Sequence, residues 1–367
     1  MKFCLLCKRH YTNKDLITDR FGRLYHLPAQ LSRLGHNGLV VAADYKSSST
    51  SKLQIPGVIF YSLPFSTLNC FTFFYETYRR LKRFNPDILI ASGDSYIGAV
   101  GFLYARCLGI PFVFDVYDDY TAFASNKIPG MKTLFYYSIS KANLVITAST
   151  QLKKKILSLN QSVLTIENGV DLSIFKPSSM DYSRSLLSIK KEKKVIGYFG
   201  SIAEKRGVET LVEAISLLRA SYGNLVLLIA GKNNLQLHLN NPYIDYRGMV
   251  AQEKIPLFIN ACDVVVIPYL PDKQVEMSNA CKIAEYLACR VPVVATLVSN
   301  HAEIFSDALQ GICKPGDAQD MARAIRFQLE TPQLANFSKN LTWENLGEKL
   351  SNALEKLIKN PLLPATF

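Results

Sequence analysis

Short apolar runs recur along the first half of the chain, and stretches with helix-like spacing of apolar residues separate them. Apolar runs of this length, when turn residues bound them, are typical of buried strands. We predict strands at 2–7, 38–43, 57–61, 87–91, 111–115, 143–147 and 163–166, and helices at 22–34, 66–84, 95–108 and 149–158. Strands that alternate with helices favour a parallel, doubly wound sheet.

The pattern restarts after residues 177–194, a segment that is rich in Ser and Lys. We predict further strands at 195–199, 225–230, 243–247, 263–267 and 292–295, and helices at 207–220, 252–260, 280–289, 317–330 and 343–358. A length of 367 residues also favours more than one domain. The predicted fold class is α/β, with two Rossmann-like, doubly wound domains that face a cleft. Their predicted bounds are 1–176 and 177–342, and residues 343–367 form a last helix and tail.

The segment 262–296 is the most informative about function. Its pattern predicts a buried strand that ends at Pro268, a polar loop, a helix that carries Lys282 and Glu285, and a second apolar strand. In parallel sheets, ligands bind outside the carboxyl ends of strands, where helix N-termini favour anions. Lys282 adds a positive charge, and Glu285 can accept hydrogen bonds from sugar hydroxyls. The segment therefore predicts a site for a phosphate and a sugar.

A second candidate lies at 195–207, where a strand leads through a glycine-bearing turn into a helix. Gly200 allows a ligand to approach the backbone, and Arg206 lies where the helix begins, so both suit a diphosphate. The turn lacks the GxGxxG pattern of nicotinamide-binding domains. An ordinary turn with solvated Lys205 and Arg206 remains the alternative.

Charge and cysteine content narrow the class of protein. The net charge is +12, and nearly all of the basic excess falls in residues 1–180, which points to nucleic acid, an anionic membrane or a phosphorylated substrate. The eight cysteines lie mostly in apolar contexts, and we interpret them as reduced residues of a cytoplasmic protein. The first apolar run is too short for a signal peptide, and we expect no membrane span.

Residues 71–84, within the predicted helix at 66–84, interleave aromatic and basic side chains. The apolar stripe consists of Phe71, Phe74, Tyr75, Tyr78 and Leu81. The basic residues that flank it are Arg79, Arg80, Lys82 and Arg83. Such a helix can lie in an anionic membrane interface, or it can pack against the core with a solvated basic side. Because no recognised nucleic-acid motif accompanies the charge, we favour a membrane surface over nucleic acid.

Two segments of the first half carry further polar candidates. Gly22 and Arg23 open a predicted helix, and Arg23 could meet an acidic group of an acceptor. Past the strand at 111–115 come Asp115, Asp118 and Asp119. These carboxylates suit a general base, a divalent metal site or a capping loop, and the residues alone leave the choice open.

Taken together, five segments resemble the GT-B nucleotide-sugar glycosyltransferases of the retaining group related to glycogen synthases and bacterial mannosyltransferases. They are NGVD with Phe175 and Pro177, GSIAEKRGVETLVEAISLL, YRGMVAQEKIPLFINACDVVVIPY, KIAEYLACRVPVVAT and Trp343-Glu344 before the last helix. They follow the order of that family and span nearly the whole chain. The resemblance implies a C-terminal helix that crosses back to the first domain.

The resemblance also implies roles for matching residues. The implied donor-binding set is Gly200, Ser201, Arg206, Gly248, Val250, Ser278, Lys282 and Glu285. Arg206 and Lys282 would contact the diphosphate, Glu285 the ribose and the 248–250 backbone the base. Gly22 and Arg23 fall on the acceptor side. The fold of this family needs no metal and no other cofactor, because basic side chains and helix N-termini stabilise the leaving diphosphate.

Several positions depart from the family pattern. Tyr117, beside Asp118, stands where many members have a catalytic histidine, and Ser201 stands where many have a basic residue. Met277 takes the place of the first glutamate of a pair, with Glu276 one residue away, and Arg290 takes the place of a glycine. Because they stand at the position of that histidine and next to it, Tyr117 and Asp118 are the catalytic candidates of this chain.

The leading hypothesis is a metal-independent, retaining glycosyltransferase of cell-surface polysaccharide, lipopolysaccharide or glycolipid synthesis. It would move a sugar from a nucleoside diphosphate donor to a glycan or lipid-linked glycan, on the inner face of the cell membrane. The alternative is a non-catalytic GT-B subunit that binds a nucleotide or a partner glycosyltransferase.

Overall fold

The computed structural model describes residues 1–11, 14–122, 128–277 and 280–359. The chain divides into two compact units. The N-terminal unit comprises Met1–Gly169 and the end of the chain from Asn340, and the C-terminal unit comprises Val170–Glu276 and Ala280–Lys339. The first unit thus ends a few residues before the predicted boundary at 176, and the last helix belongs to it.

The strands in chain order are β1 Lys2–Lys8, β2 His10–Tyr11, β3 Lys14–Asp15, β4 Asn37–Asp44, β5 Ser51–Ile55, β6 Val58–Pro64, β7 Ile88–Ser92, β8 Phe112–Val116, β9 Leu144–Thr147, β10 Val163–Thr165, β11 Lys194–Phe199, β12 Leu225–Ala230, β13 Ile244–Tyr246, β14 Val264–Ile267, β15 Val293–Thr296 and β16 Ile312–Cys313. The helices are α1 Arg23–Arg33, α2 Cys70–Phe84, α3 Ser95–Leu108, α4 Met131–Lys141, α5 Thr150–Ile156, α6 Met180–Leu186, α7 Val208–Leu218, α8 Ile255–Asn260, α9 Lys273–Met277, α10 Cys281–Ala288, α11 His301–Ile304, α12 Ala318–Glu330 and α13 Trp343–Lys359.

Each unit is built on one large sheet. In the N-terminal unit the strand order is β10-β9-β8-β7-β1-β4-β6-β5, and every pairing is parallel except that of β5 with β6. In the C-terminal unit the order is β13-β12-β11-β14-β15-β16, and all pairings are parallel. The predicted α/β fold class, with two Rossmann-like domains, is confirmed.

The strand order shows where a ligand site can form in each of the two sheets. In both sheets the chain reverses its direction of travel beside the first strand of the unit, at β1 next to β7 and at β11 next to β14. At such a point, the loops that follow the two neighbouring strands run in opposite directions. A crevice therefore opens between them at the carboxyl edge of the sheet. The loops after β11 and β14 are those that the sequence assigns to the donor.

The core of the N-terminal unit shows why β1 reads as a continuous apolar run. Cys4 and Leu6 face one buried cluster, whereas Phe3, Leu5 and Cys7 face another on the opposite side of the sheet. Successive side chains of a strand point to opposite faces, so a strand covered on both sides is apolar throughout. Burial raises the pKa of the Cys4 and Cys7 thiols, which are free and lie in this core.

Helix α13 completes the N-terminal unit. Its buried side chains are spaced three or four residues apart and include Trp343, Leu346, Leu350 and Leu354. They join the same buried cluster as Leu24, Leu27 and Leu31 of α1. The expectation that the last helix crosses back to the first unit is confirmed.

Helix α2 packs in a different phase from the predicted stripe. Phe73, Thr77 and Leu81 are its buried residues, whereas Phe71 is 83% and Tyr75 65% exposed. The predicted single stripe is therefore wrong. Phe73 is buried in the core, Phe74 and Tyr78 are partly buried against the same core cluster, and only Phe71 and Tyr75 of the predicted stripe are exposed.

Two of the four basic side chains that flank the stripe of α2 contact other protein groups. The guanidinium of Arg80 lies 4.3 Å from the Tyr61 ring centre, and Arg79 pairs with Glu76 at 2.8 Å. Lys82 and Arg83 are exposed. Among the described helices, none combines the length and the apolar composition needed to cross a membrane.

Arg290 gives a test of backbone strain in this fold. It follows α10 with a φ of 55°, where the family pattern has glycine, and it is exposed. A side chain in this left-handed conformation costs about 1 kcal/mol. We expect Arg290→Gly to raise the free energy of unfolding by about 0.5–1 kcal/mol in urea titrations. Arg219→Gly, at a right-handed helix end (φ −62°), should lower it. Destabilisation by both changes would show that Arg290 is not strained.

Candidate functional site

Two cations of the C-terminal unit share one aromatic ring. The Lys282 ammonium lies 4.3 Å from the Tyr198 ring centre and 5.2 Å from that of Tyr269, and the Arg206 guanidinium lies 4.8 Å from Tyr269. Within the described ranges, no salt bridge joins either cation to a carboxylate. Two like charges held close together and not neutralised by protein groups favour an anionic ligand.

Gly200 brings bare backbone to this pair of cations. It directly follows β11, and the Lys282 ammonium nitrogen lies 2.6 Å from the point that a Cβ at Gly200 would occupy. A ligand phosphate beside Lys282 would therefore also meet the main chain of the turn. The structure brings together Gly200, Arg206 and Lys282, as the sequence predicts, although their contact with a donor stays a prediction.

Tyr198 fixes the turn that contains Ser201. Its hydroxyl donates to the Ser201 carbonyl oxygen at 2.8 Å. Burial raises the pKa of Tyr198, so the phenol is neutral at physiological pH and leaves the Lys282 charge uncompensated. Tyr286 of α10 accepts a hydrogen bond from the Phe199 backbone N–H at 3.1 Å and ties the end of β11 to the helix that carries Lys282.

Glycines interlock the loops around the site. A Cβ at Gly207 would collide with the Pro268 carbonyl oxygen, and a Cβ at Gly231 would collide with that of Gly200. The Gly231 backbone N–H in turn donates to the Gly248 carbonyl at 2.7 Å. These contacts place the loops after β11, β12, β13 and β14 against one another, which only residues without a side chain permit.

Helix α10 presents Lys282 and Glu285 together. They are three residues apart, so they lie on one side of the helix, while Ile283, Tyr286 and Leu287 are buried on the other. The start of the helix, at Cys281, adds partial positive charge close to Lys282. One side of the helix thus carries a cation that suits a phosphate and a carboxylate that suits a sugar.

The remaining predicted donor residues lie in a partly exposed loop or outside the described residues. Gly248 and Val250 lie in the partly exposed loop that follows β13, beside Met249, which is 68% exposed. Their contact with a base stays a prediction. Ser278 lies outside the described residues. The side chain of Glu276 is exposed, and its carbonyl accepts a hydrogen bond from the Ser299 hydroxyl at 3.0 Å.

Arg23 does not take the predicted acceptor-side role. Its side chain is fully buried and forms two hydrogen bonds with the Asp115 carboxylate, at 3.0 and 2.7 Å. A third bond of 3.0 Å reaches the Ile166 carbonyl oxygen. Because the side chain is buried and all three guanidinium nitrogens donate to protein oxygens, the expectation that it meets an acceptor is wrong. Gly22, just before it, lets the Tyr11 hydroxyl pack against the start of α1.

The carboxylates after β8 engage separate partners. Asp115 pairs with Arg23, and Asp119 pairs with the Lys155 ammonium at 2.6 Å. Asp118 accepts a hydrogen bond from the Asp119 backbone N–H at 2.8 Å. In the part of the chain that the structure describes, no group of three metal-ligating side chains gathers. Metal-independent chemistry stays a prediction.

Tyr117 lies in an aromatic cluster. Its ring meets Tyr11 and Tyr120 edge to face, with ring centres 5.5 Å apart in each case. Burial raises its pKa, so the phenol keeps its proton at neutral pH. Tyr117 can therefore donate or accept a hydrogen bond, but it cannot take up a proton as a histidine does. The catalytic roles of Tyr117 and Asp118 stay predictions.

Sequence reasoning missed four residues of this candidate site, namely Tyr198, Gly207, Gly231 and Tyr269. Two signals were available. Tyr198 places a polar hydroxyl near the end of an otherwise apolar strand, and Tyr269 follows Pro268 where the next strand ends. Both tyrosines thus stand at the carboxyl edge of the sheet, where ligands bind.

Comparisons with known proteins agree with this geometry. Residues 23–174 match the family described as Glycosyltransferase Family 4, and residues 193–331 match Glycosyl transferases group 1. An uncharacterized glycosyltransferase of Methanocaldococcus jannaschii is 23% identical, over 71% of this chain and 72% of its own. A phosphatidylinositol N-acetylglucosaminyltransferase component of Arabidopsis thaliana is 21% identical, over 94% of this chain and 81% of its own.

Solved structures share the fold. HepE of Anabaena, in a complex with UDP, matches with a TM-score of 0.74 at 16% identity, over 97% of this chain and 100% of HepE. The two family matches together span most of the chain, and the parallel sheets of the two units correspond to the two Rossmann-like domains. The chain belongs to the GT-B glycosyltransferases, with a family 4 domain followed by a group 1 domain.

Proposed function

We propose that the protein transfers a sugar from a nucleoside diphosphate donor to a hydroxyl of a glycan or lipid-linked glycan. The observation that carries this proposal is the Arg206–Lys282 pair, which shares the Tyr269 ring without a carboxylate partner among the described residues. A donor diphosphate supplies the missing negative charge. The neighbouring Glu285 would hold the ribose, and the 248–250 backbone would read the base.

The same groups would assist the reaction. When the bond between the sugar and the diphosphate breaks, negative charge develops on the leaving phosphate, and fixed cations stabilise it without reorganisation. Arg206, Lys282 and the N-terminus of α10 are suited to this role. We therefore propose that transfer needs no metal. Retention of anomeric configuration belongs to the proposal because the sequence resembles the retaining group.

A thermal-shift screen against UDP-, GDP-, ADP- and dTDP-sugars tests donor binding. A donor at about 100 times its Kd adds about 2.7 kcal/mol to the unfolding free energy, which is a readily measured shift. UDP belongs in the screen because HepE was solved with it. Glu285→Ala should lose most of the shift, and Glu303→Ala, an exposed residue of the same unit, should keep it. A complete lack of stabilisation by all four classes would contradict the proposal.

The acceptor class rests on different support. The relative from Arabidopsis is named as a transferase that acts on phosphatidylinositol, a lipid. A lipid-linked acceptor places the enzyme at the inner face of the cell membrane, in the synthesis of cell-surface polysaccharide or glycolipid. The alternative of a non-catalytic subunit predicts nucleotide binding without turnover of any donor.

We propose that the exposed face of α2 contacts an anionic membrane. Leu68, two residues before the helix, is 97% exposed and Phe71 is 83% exposed, and Tyr75 follows one turn after Phe71 on the same side. Lys82 and Arg83 extend this face at the C-terminal end of the helix. Aromatic residues next to cations suit the interface of a membrane that contains anionic lipid.

Liposome co-sedimentation tests this contact. We expect binding to vesicles with anionic lipid, weaker binding at high salt, and at least about a tenfold loss in a variant with Phe71→Ser and Tyr75→Ser, because buried aromatic area drives insertion. Lys82→Glu with Arg83→Glu should also weaken it, whereas Lys190→Glu with Lys191→Glu in the other unit should not. Equal binding by all variants would show that α2 is not the contact.

A further inference from the structure

His301 is a buried histidine of the C-terminal unit that the proposed donor chemistry does not use. It is the first residue of α11, just after the loop that leaves β15, and only 3% of its surface is exposed. Burial lowers the pKa of its imidazole, so the ring is neutral at physiological pH. Buried polar side chains are held by hydrogen bonds, and the bond of His301 connects it to the candidate donor site.

Two successive hydrogen bonds join His301 to Tyr269. The Nδ1 atom of His301 lies 2.8 Å from the Thr296 carbonyl oxygen. Because a carbonyl oxygen can only accept, Nδ1 carries the proton of the neutral ring and donates it. The Thr296 hydroxyl in turn donates to the Tyr269 carbonyl oxygen at 2.6 Å. Thr296 is completely buried, so water does not compete for these bonds.

Ring packing accompanies the hydrogen bonds. The ring centres of His301 and Tyr269 are 6.5 Å apart, and Phe305 meets the His301 ring edge to face at 6.0 Å. Tyr269 is 4% and Phe305 1% exposed, so all three rings lie in the close-packed interior. The hydrogen bonds thus hold the backbone of Tyr269, and the packing holds its side chain.

The loop that contains Thr296 also holds a second point of the donor segment. The Ser299 hydroxyl donates to the Glu276 carbonyl oxygen at 3.0 Å. The bond from Thr296 therefore fixes the beginning of segment 268–277, and the bond from Ser299 fixes its end. This segment leads from β14 towards the helix that carries Lys282.

Tyr269 is the ring that Arg206 and Lys282 share, at 4.8 Å and 5.2 Å from its centre. Since the attraction between a cation and a ring depends on their separation, a displaced Tyr269 would displace both cations. We propose that His301 is a positioning residue, which fixes Tyr269 through Thr296. It thereby sets the place of the two cations for a diphosphate. This inference rests on the proposed transfer reaction and adds to it a residue that does not touch the donor.

Leucine and asparagine at position 301 form a matched pair of substitutions. They have nearly the same size and shape, both lack the imidazole ring, and only asparagine can donate to the Thr296 carbonyl. Fluorine NMR of the full chain, labelled with 3-fluorotyrosine, follows Tyr269, whose resonance is identified by its absence in Tyr269→Phe. We expect a larger displacement of this resonance in His301→Leu than in His301→Asn. Equal displacement in the two variants would overturn the inference.

Calorimetric titration of the same variants with UDP, GDP, ADP and dTDP connects the ring to binding. For a nucleotide that binds the wild type, His301→Leu should weaken binding about three- to tenfold, the range of one lost hydrogen bond. His301→Asn should restore the affinity to within about twofold of the wild type, because it replaces that bond.

Gln328→Met is the control for a purely structural effect. Gln328 is 1% exposed, and its amide also donates to a carbonyl of β15, that of Val293, at 3.3 Å. This variant should melt at a lower temperature and bind the nucleotide as the wild type does. The same pattern in His301→Leu would overturn the positioning role. If none of the four nucleotides binds the wild type, the proposed function fails, and the fluorine comparison still decides whether His301 fixes Tyr269.

Discussion

Replacing Arg23 by methionine should lower the free energy of unfolding by about 3–5 kcal/mol, because it leaves Asp115 as an unpaired buried charge. Arg23 and Asp115 are 1% and 3% exposed, and two hydrogen bonds join them. The change also removes the donor to the Ile166 carbonyl. Such a loss is a large fraction of the stability of an ordinary domain.

Urea unfolding, with circular dichroism and fluorescence as probes, measures this loss. Arg33→Met is the control on the same helix, since Arg33 is 69% exposed and its nearest carboxylate, Glu344, is 3.8 Å away. It should cost no more than about 1 kcal/mol. Arg23→Met combined with Asp115→Asn should recover part of the loss, because no charge stays buried. A cost at Arg23 as small as that at Arg33 would contradict the structural role.

Replacing Lys282 by methionine should weaken nucleoside diphosphate binding by about 10- to 100-fold, since hydrogen bonds to charged groups contribute about 1.5–3 kcal/mol. Methionine keeps most of the length of the side chain beside Tyr198 and removes only the charge. The rate of transfer should fall further, by about 100-fold or more, if Lys282 stabilises the departing phosphate as proposed.

Isothermal titration calorimetry with the nucleoside diphosphate found in the donor screen measures the binding loss. Lys314→Met, at an exposed lysine of the same unit, is the control and should bind as the wild type does. Thermal melting of the ligand-free variants shows whether each one folds. A folded Lys282→Met variant with wild-type affinity would exclude the proposed contact with the diphosphate.

The parallel sheets could be predicted because their central strands are buried on both faces and therefore read as unbroken apolar runs. The edge strand β5 escaped because its sequence, SKLQI, alternates between half-buried and exposed residues. The short β2–β3 pair is likewise polar and carries no periodic signal. The local sequence pattern thus predicts strands that are buried on both faces, and it fails to predict edge strands that are only partly buried.

The errors at single residues have a common physical origin. Arg23 follows a glycine among polar residues and looks exposed, but its partner Asp115 lies 92 positions away in the chain. In α2, aromatic residues occur on more than one side of the helix, and only tertiary packing buries Phe73 and leaves Phe71 exposed. Lys282 and Glu285 lie on one helix, as predicted, because their positions follow from one local β-loop-helix segment, and their contact with a donor stays a prediction.

The most direct test of the account is the release of nucleoside diphosphate from the donor sugar, followed by chromatography with a lipid extract or alkyl glycosides as acceptors. We expect release together with a glycosylated product, in the presence of EDTA. We also expect a rate at least about 100-fold lower for Lys282→Met and unchanged for Lys314→Met. No turnover by a wild-type protein that binds the donor, or equal rates for both variants, would contradict it.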